Sequence, residues 1–245
     1  MDDVTRELGD DLRRRIEHEF VVETTGWASE RVDRVTERLQ RGARSEERFQ
    51  TLVVWLAEHN AFIAPGRTIY FSRRLLERLP DDDAAAFIVA HELAHFHLGH
   101  IPTFSASWWR LGLRVVLLML TARVARPDRE RDADLLGIEL CLDAGYDPER
   151  CIAALEHLAN VSLDYGDIDG ALGDEAARGR SHDPVRDRIA AVRSHVIAAR
   201  RGDRISRDVT KDRERRWRRV ALATVGSAAL TIALVVLWRR APGTP

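Results

Sequence analysis

The sequence predicts a mainly α-helical protein with a small β-sheet, an α+β fold, followed by one C-terminal transmembrane helix. Three observations carry this prediction. Most of the chain to about Arg201 divides into segments with apolar residues at helical spacing. Arg48 to Ala57 and Thr68 to Phe71 are rich in β-favouring residues. Val220 to Trp238 runs 19 positions without a charge. As a helix that last run would span ~28 Å, about the hydrocarbon thickness of a bilayer. At 245 residues and 45% hydrophobic, the chain can bury one sizeable core, or one core and an appendage.

The elements follow in order. Asp2 to Glu19 and Trp27 to Gln40 read as helices, the second with Val32, Val35 and Leu39 on one face. The two β-rich stretches lie either side of a Pro65-Gly66 turn. Ser72 to Leu79 gives a short helix and Asp81 to Leu98 a longer one, with Asp81-Asp82-Asp83 offering an N-cap and a negative first turn and Gly99 a stop. Asp128 to Ala144 is the next helix, Gly145 ends it, and Asp147-Pro148 starts another through Asn160. Leu163 to Arg180, rich in Gly and Asp, is expected to be a mobile loop. Its Asp164, Asp167 and Asp169 lack the closing Glu of a calcium loop. Asp183-Pro184 caps a last helix to about Arg201.

The organisation expected is a folded domain over 1–202, a basic juxtamembrane segment 203–219, the span 220–238 and a tail 239–245. Lys211 to Arg219 holds six basic residues against Asp212 and Glu214, so the positive-inside rule puts the domain on the cytoplasmic side of a cell membrane that the chain crosses once. Anionic headgroups are the expected partners of the arginine-rich stretch. Trp217 and Trp238 sit where interfacial anchors belong. Trp108 to Val124 is a second apolar stretch, interrupted by Arg110, Arg114 and Arg123; it fits either a helix at the membrane surface or one in the soluble core. Met1 to Arg15 is charged and predicts no signal peptide. A net charge of −1 gives no electrostatic case for nucleic acid. Cys141 and Cys151 have no C-x-x-C spacing and fit a reducing compartment.

The chemistry sits in His91-Glu92-Leu93-Ala94-His95. On a helix, His91 and His95 stack one turn apart and can reach one zinc ion, while Glu92, about 100° round, can take a proton from water. Catalytic zinc takes three protein ligands and leaves one position open. The extended pattern H-E-x-x-H-x-x-G-x-x-H fails, because Leu98 and Ile101 stand where it needs Gly and His, and Gly99 and His100 are out of register. A Glu from a later helix is the other source. Glu130, which shares a face with Asp134, opens such a helix after Pro127. His97 and His100 read as helix-face or packing residues, and His18, His59, His157 and His195 show no partner pattern.

Several separated elements then resemble the membrane-associated zinc endopeptidases of the HtpX type, the family of the CAAX prenyl endoprotease and the OMA-type peptidases. Asn60-Ala61-Phe62, Pro65-Gly66 and Ile69-Tyr70 look like its edge-strand segment, and His91 to His95 like its zinc helix. Glu130 with Ala133-Asp134 looks like its E-x-x-A-D element, Ala144 to Pro148 like the following turn, and Ser181-His182 with Arg188-Ile189 like its late His and Arg motif. The resemblance runs from about Val32 to Arg193. It implies a gluzincin-like zinc peptidase domain whose edge strand, near Ile69, aligns a protein or peptide substrate. It implies one zinc per chain held by His91, His95 and Glu130, with Glu92 as general base and Asp134 orienting a ligand imidazole. His182 and Arg188 would lie near the site, stabilising an oxyanion or gating access. His182 departs from the family pattern, since Asp183 intervenes before Pro184. The family's multi-span members have several membrane helices, whereas this chain shows one clear one. The alternatives are a membrane-tethered zinc scaffold without proteolysis, though structural zinc has no use for Glu92, and hydrolysis of a non-peptide amide at the same site, which only the edge strand near Ile69 disfavours.

Overall fold

The computed structural model describes residues 3–42, 47–57, 59–100, 127–165 and 184–204. In order these form α1 (Asp3–Glu19), β1 (Val22–Glu23), α2 (Trp27–Gly42), β2 (Gln50–Val54), β3 (Ala61–Ala64), β4 (Thr68–Ser72), α3 (Arg73–Arg78) and α4 (Asp82–His97). Then come α5 (Pro127–Asp143), α6 (Pro148–Tyr165) and α7 (Pro184–Arg200). The fold is mainly helical with a small mixed sheet, as expected from the sequence. Among the described residues no helix is long and apolar enough to cross a membrane. The span expected at 220–238 and the stretch Trp108 to Val124 lie outside the described residues.

The sheet has the order β1-β2-β4-β3, with β2 parallel to β4 and the two outer pairs antiparallel. Both faces are covered, so the strands read as continuous apolar runs and not as strict alternation. Leu52, Val54, Phe62, Ala64 and Tyr70 face Leu12 and Ile16 of α1, with Phe62 stacked on Tyr70 at 5.1 Å between ring centres. Val53, Ala61, Ile63, Ile69 and Phe71 point the other way, into the main core with α2 and α4. Ile69 is not on the edge strand expected there: it lies on β4, flanked by β2 and β3, and among the described residues β3 and β1 are the outer strands. Leu163 to Tyr165 also differ from expectation: they continue α6, since the first helix breaker after Pro148 is Gly166.

Helix α4 is apolar nearly all round because it runs through the middle, packed on β3, α2, α5 and α6. Its N-terminus is fixed by the three aspartates in three ways. Asp81 is the N-cap, accepting from Ala84 N–H at 2.9 Å. Asp82 pairs with Arg31 and Arg34 of α2, each at 2.9 Å, and Asp83 accepts from Asp147 N–H at 2.6 Å, just ahead of α6. Arg38 of α2 donates to the carbonyls of Ala144 and Gly145 at the C-terminus of α5 and lies 4.0 Å over the Tyr146 ring. Asp81→Ala is expected to cost ~1 kcal/mol through the lost cap, read from denaturant midpoints at unchanged slope.

Candidate metal centre

Two helices build the centre. On α4, His91 and His95 stand one turn apart, and their Nε2 atoms face each other at 3.0 Å. The first turns of α5 bring Glu130 against them, with one carboxylate oxygen 3.3 Å from His91 Nε2 and the other 3.3 Å from His95 Nε2. One ligand atom from each of the three lies within 4.8 Å of the other two. Glu130 and Asp134 face α4 because they are four apart on α5. Gly137, a further turn along, lets the helices meet: a Cβ there would lie 3.2 Å from the backbone nitrogen of His91. Gly137→Val is therefore expected to push α5 off α4, lowering both the melting temperature and the zinc occupancy measured by mass spectrometry.

The donor spacing fits a zinc ion. Tetrahedral bonds of ~2.0–2.1 Å place neighbouring donors about 3.3 Å apart, close to the three separations here. The surrounding charge also calls for a cation. Burial disfavours a protonated His91, yet the Asp134 and Glu130 carboxylates outweigh it and push the pKa up to about 9. Burial acts on Glu130 in the opposite sense, but the two imidazoles hold its carboxyl far below the usual range. A metal would take the place of that proton.

Around the three donors lie groups that hold them. Asp134, 1% exposed, has an oxygen 2.9 Å from His91 Nδ1. Arg188 on α7 donates to both oxygens of Asp134, from Nε at 2.7 Å and from a terminal nitrogen at 2.9 Å, the latter also lying 3.8 Å from Glu130. Burial raises the Asp134 carboxyl, but Arg188 and then His91 outweigh it and the net shift is downward. The structure thus gathers six of the seven site residues named from the sequence: His91, Glu92, His95, Glu130, Asp134 and Arg188. His182 lies outside the described residues.

Glu92 is buried, and its Oε2 accepts a 3.1 Å hydrogen bond from the N–H of Ile63 on β3. Phe62 and Ala64 are in register with Tyr70 and Thr68 of β4, while the Ile63 N–H points to the open side of the sheet. The carboxylate is thus fixed between the histidine helix and the sheet edge.

Two contacts carry histidines that the sequence reads only as packing residues or leaves without a partner. His100 Nδ1 lies 3.1 Å from His95 Nδ1, on the side of that ring away from Glu130. His195 Nε2, on α7, lies 2.7 Å from the fully buried Glu139 of α5. Arg188 and His195 are two turns apart, so α7 grips α5 at two points along its length. The pair 139–195 has no local spacing to reveal it. His100 does have a local pattern, the H-x-x-x-G-H run ending α4.

Residues 25–107 match the model of peptidase family M48, a stretch that takes in α2, strands β2 to β4 and the histidine helix. Glu130, Asp134 and Arg188 lie beyond the match and join the site by geometry. No curated protein matches the sequence. The match over residues 25–107 is consistent with an HtpX-like M48 metallopeptidase.

Proposed function

We propose that the chain is a membrane-anchored zinc endopeptidase, with His91, His95 and Glu130 holding one metal ion and Glu92 acting as general base. The observation that carries this reading is that the two histidines of a metal-spaced His-His-Glu triad share their helix with a carboxylate already hydrogen-bonded to an edge strand. A zinc ion bound there would polarise the scissile carbonyl and bring a water's pKa to around 7. Glu92 accepts the proton of the attacking water and hands it to the departing amine nitrogen. Its bond from Ile63 N–H holds the carboxylate in one orientation for both transfers. A substrate strand pairing with the open side of β3 would run beside that carboxylate, which favours a peptide over a non-peptide amide.

In this reading Asp134 orients His91, and Arg188, with both its bonds on Asp134, acts through that carboxylate instead of on the reacting carbonyl. His182 keeps the role that the late motif implies, close to the site. The span at 220–238 anchors the domain on the cytoplasmic face, where it meets unfolded or membrane-protein substrates in quality control or regulated processing. The competing scaffold reading leaves Glu92 and its placement without a purpose. The purified chain is expected to bind about one zinc and to cleave an unfolded protein in a chelator-sensitive, zinc-restored manner. Zinc uptake with no cleavage of any unfolded or membrane protein would favour the scaffold. Protease protection in sealed vesicles tests the orientation.

A further inference from the structure

Helix α4 ends in a turn that brings the chain back to one of the two histidines. The N–H of His100 donates to the His95 carbonyl at 2.8 Å, and that of Gly99 to the Phe96 carbonyl at 3.0 Å, the paired bonds of a Schellman turn. Such a turn needs a left-handed residue at position 99, and Gly99 has φ 67°. Among the described residues a Cβ on Gly99 would meet nothing within 4 Å, so it is the backbone conformation that reserves the position for glycine. The turn buries His100, 7% exposed, with its Nδ1 3.1 Å from that of His95.

Two imidazole nitrogens at that distance cannot both present lone pairs, so one carries a proton. His95 Nε2 faces His91 and Glu130. It needs a bare lone pair to hold a metal, so the proton of a neutral His95 sits on Nδ1. We propose that His100 is a positioning residue of the metal centre, accepting the Nδ1–H of His95 on its own Nδ1 and so fixing the tautomer and ring plane in which His95 Nε2 meets the metal. The two ligand histidines are then held differently. His91 has a carboxylate, Asp134, behind it, whereas His95 has a neutral ring that orients it without adding charge to a cluster in which Glu130 and Asp134 touch His91 and Glu92 also acts on it.

The inference rests on the metal-site reading, and the test separates the two. In the zinc-loaded chain labelled with ¹⁵N-histidine, the expected His95 spectrum has a metal-bound Nε2, a protonated Nδ1 and a coupling across the hydrogen bond to His100 Nδ1. A His95 proton on Nε2, or the absence of that coupling, overturns the proposal. Two variants add an independent readout by chelator competition. His100→Leu, which removes the acceptor, is expected to weaken zinc binding about 10–100-fold. His100→Gln, which can still accept, is expected to recover most of that loss. Unchanged affinity in His100→Leu, or equal loss in both variants at unchanged helix content, overturns the assignment. Failure of the unmodified chain to take up zinc would instead sink the metal centre itself.

Discussion

Glu92→Gln is expected to keep the metal and lose the chemistry, with peptide-bond hydrolysis falling about 10²–10⁴-fold while zinc content stays at that of the unmodified chain. The substitution is nearly isosteric, and the new amide oxygen can still accept from the Ile63 N–H that holds Oε2 now. What disappears is the ability to take a proton and return it. Zinc content and steady-state hydrolysis of an unfolded protein, measured on the same preparation, check the result. Retained hydrolysis would remove Glu92 from its role, and lost zinc would make it part of the binding site instead.

The second large effect belongs to Asp134. Its carboxylate is buried at 1% exposure and joins Arg188 of α7 to His91 of α4. Asp134→Ala leaves Arg188 facing the centre without its main partner, at an expected cost of ~3 kcal/mol, and releases His91, weakening zinc about 10–100-fold. A double variant separates the two consequences. Replacing both partners, Asp134→Leu with Arg188→Met, removes the unpaired charge, so urea stability should largely return. Zinc affinity should stay low, because nothing then orients His91. Recovery of both together would mean that Asp134 serves only to tie α7 to α5.

Much of this site could be read along the chain because its parts are local. The i, i+4 histidines, the capping aspartates before them and the i, i+4 carboxylates at the start of α5 each report their own helix, and the structure brings those helices together. What the residues hid was non-local or too short to show a period. Strand β1 is two residues long, and β3 is four residues buried on both faces, so neither alternates. The resemblance takes in both Asn60-Ala61-Phe62 and Ile69-Tyr70 as edge segment, and only the structure shows that the outer strand of the two is Ala61–Ala64. His195 finds Glu139 across 56 residues, beyond any helical spacing. The register of His100 bears only on whether it can be a ligand. His100 is not in the group His91, His95 and Glu130, yet the Gly99 turn, which no ligand register detects, places it behind His95.

Whether His91, His95 and Glu130 together hold one zinc ion is decided by zinc-edge X-ray absorption on the purified chain and on Glu130→Ala. The expected spectrum of the unmodified chain is a four-coordinate nitrogen and oxygen shell at ~2.0–2.1 Å with the outer-shell pattern of two imidazoles. Glu130→Ala should lose the metal or change that shell. An unchanged spectrum and affinity in Glu130→Ala, or a shell containing sulfur, would rule out this ligand set.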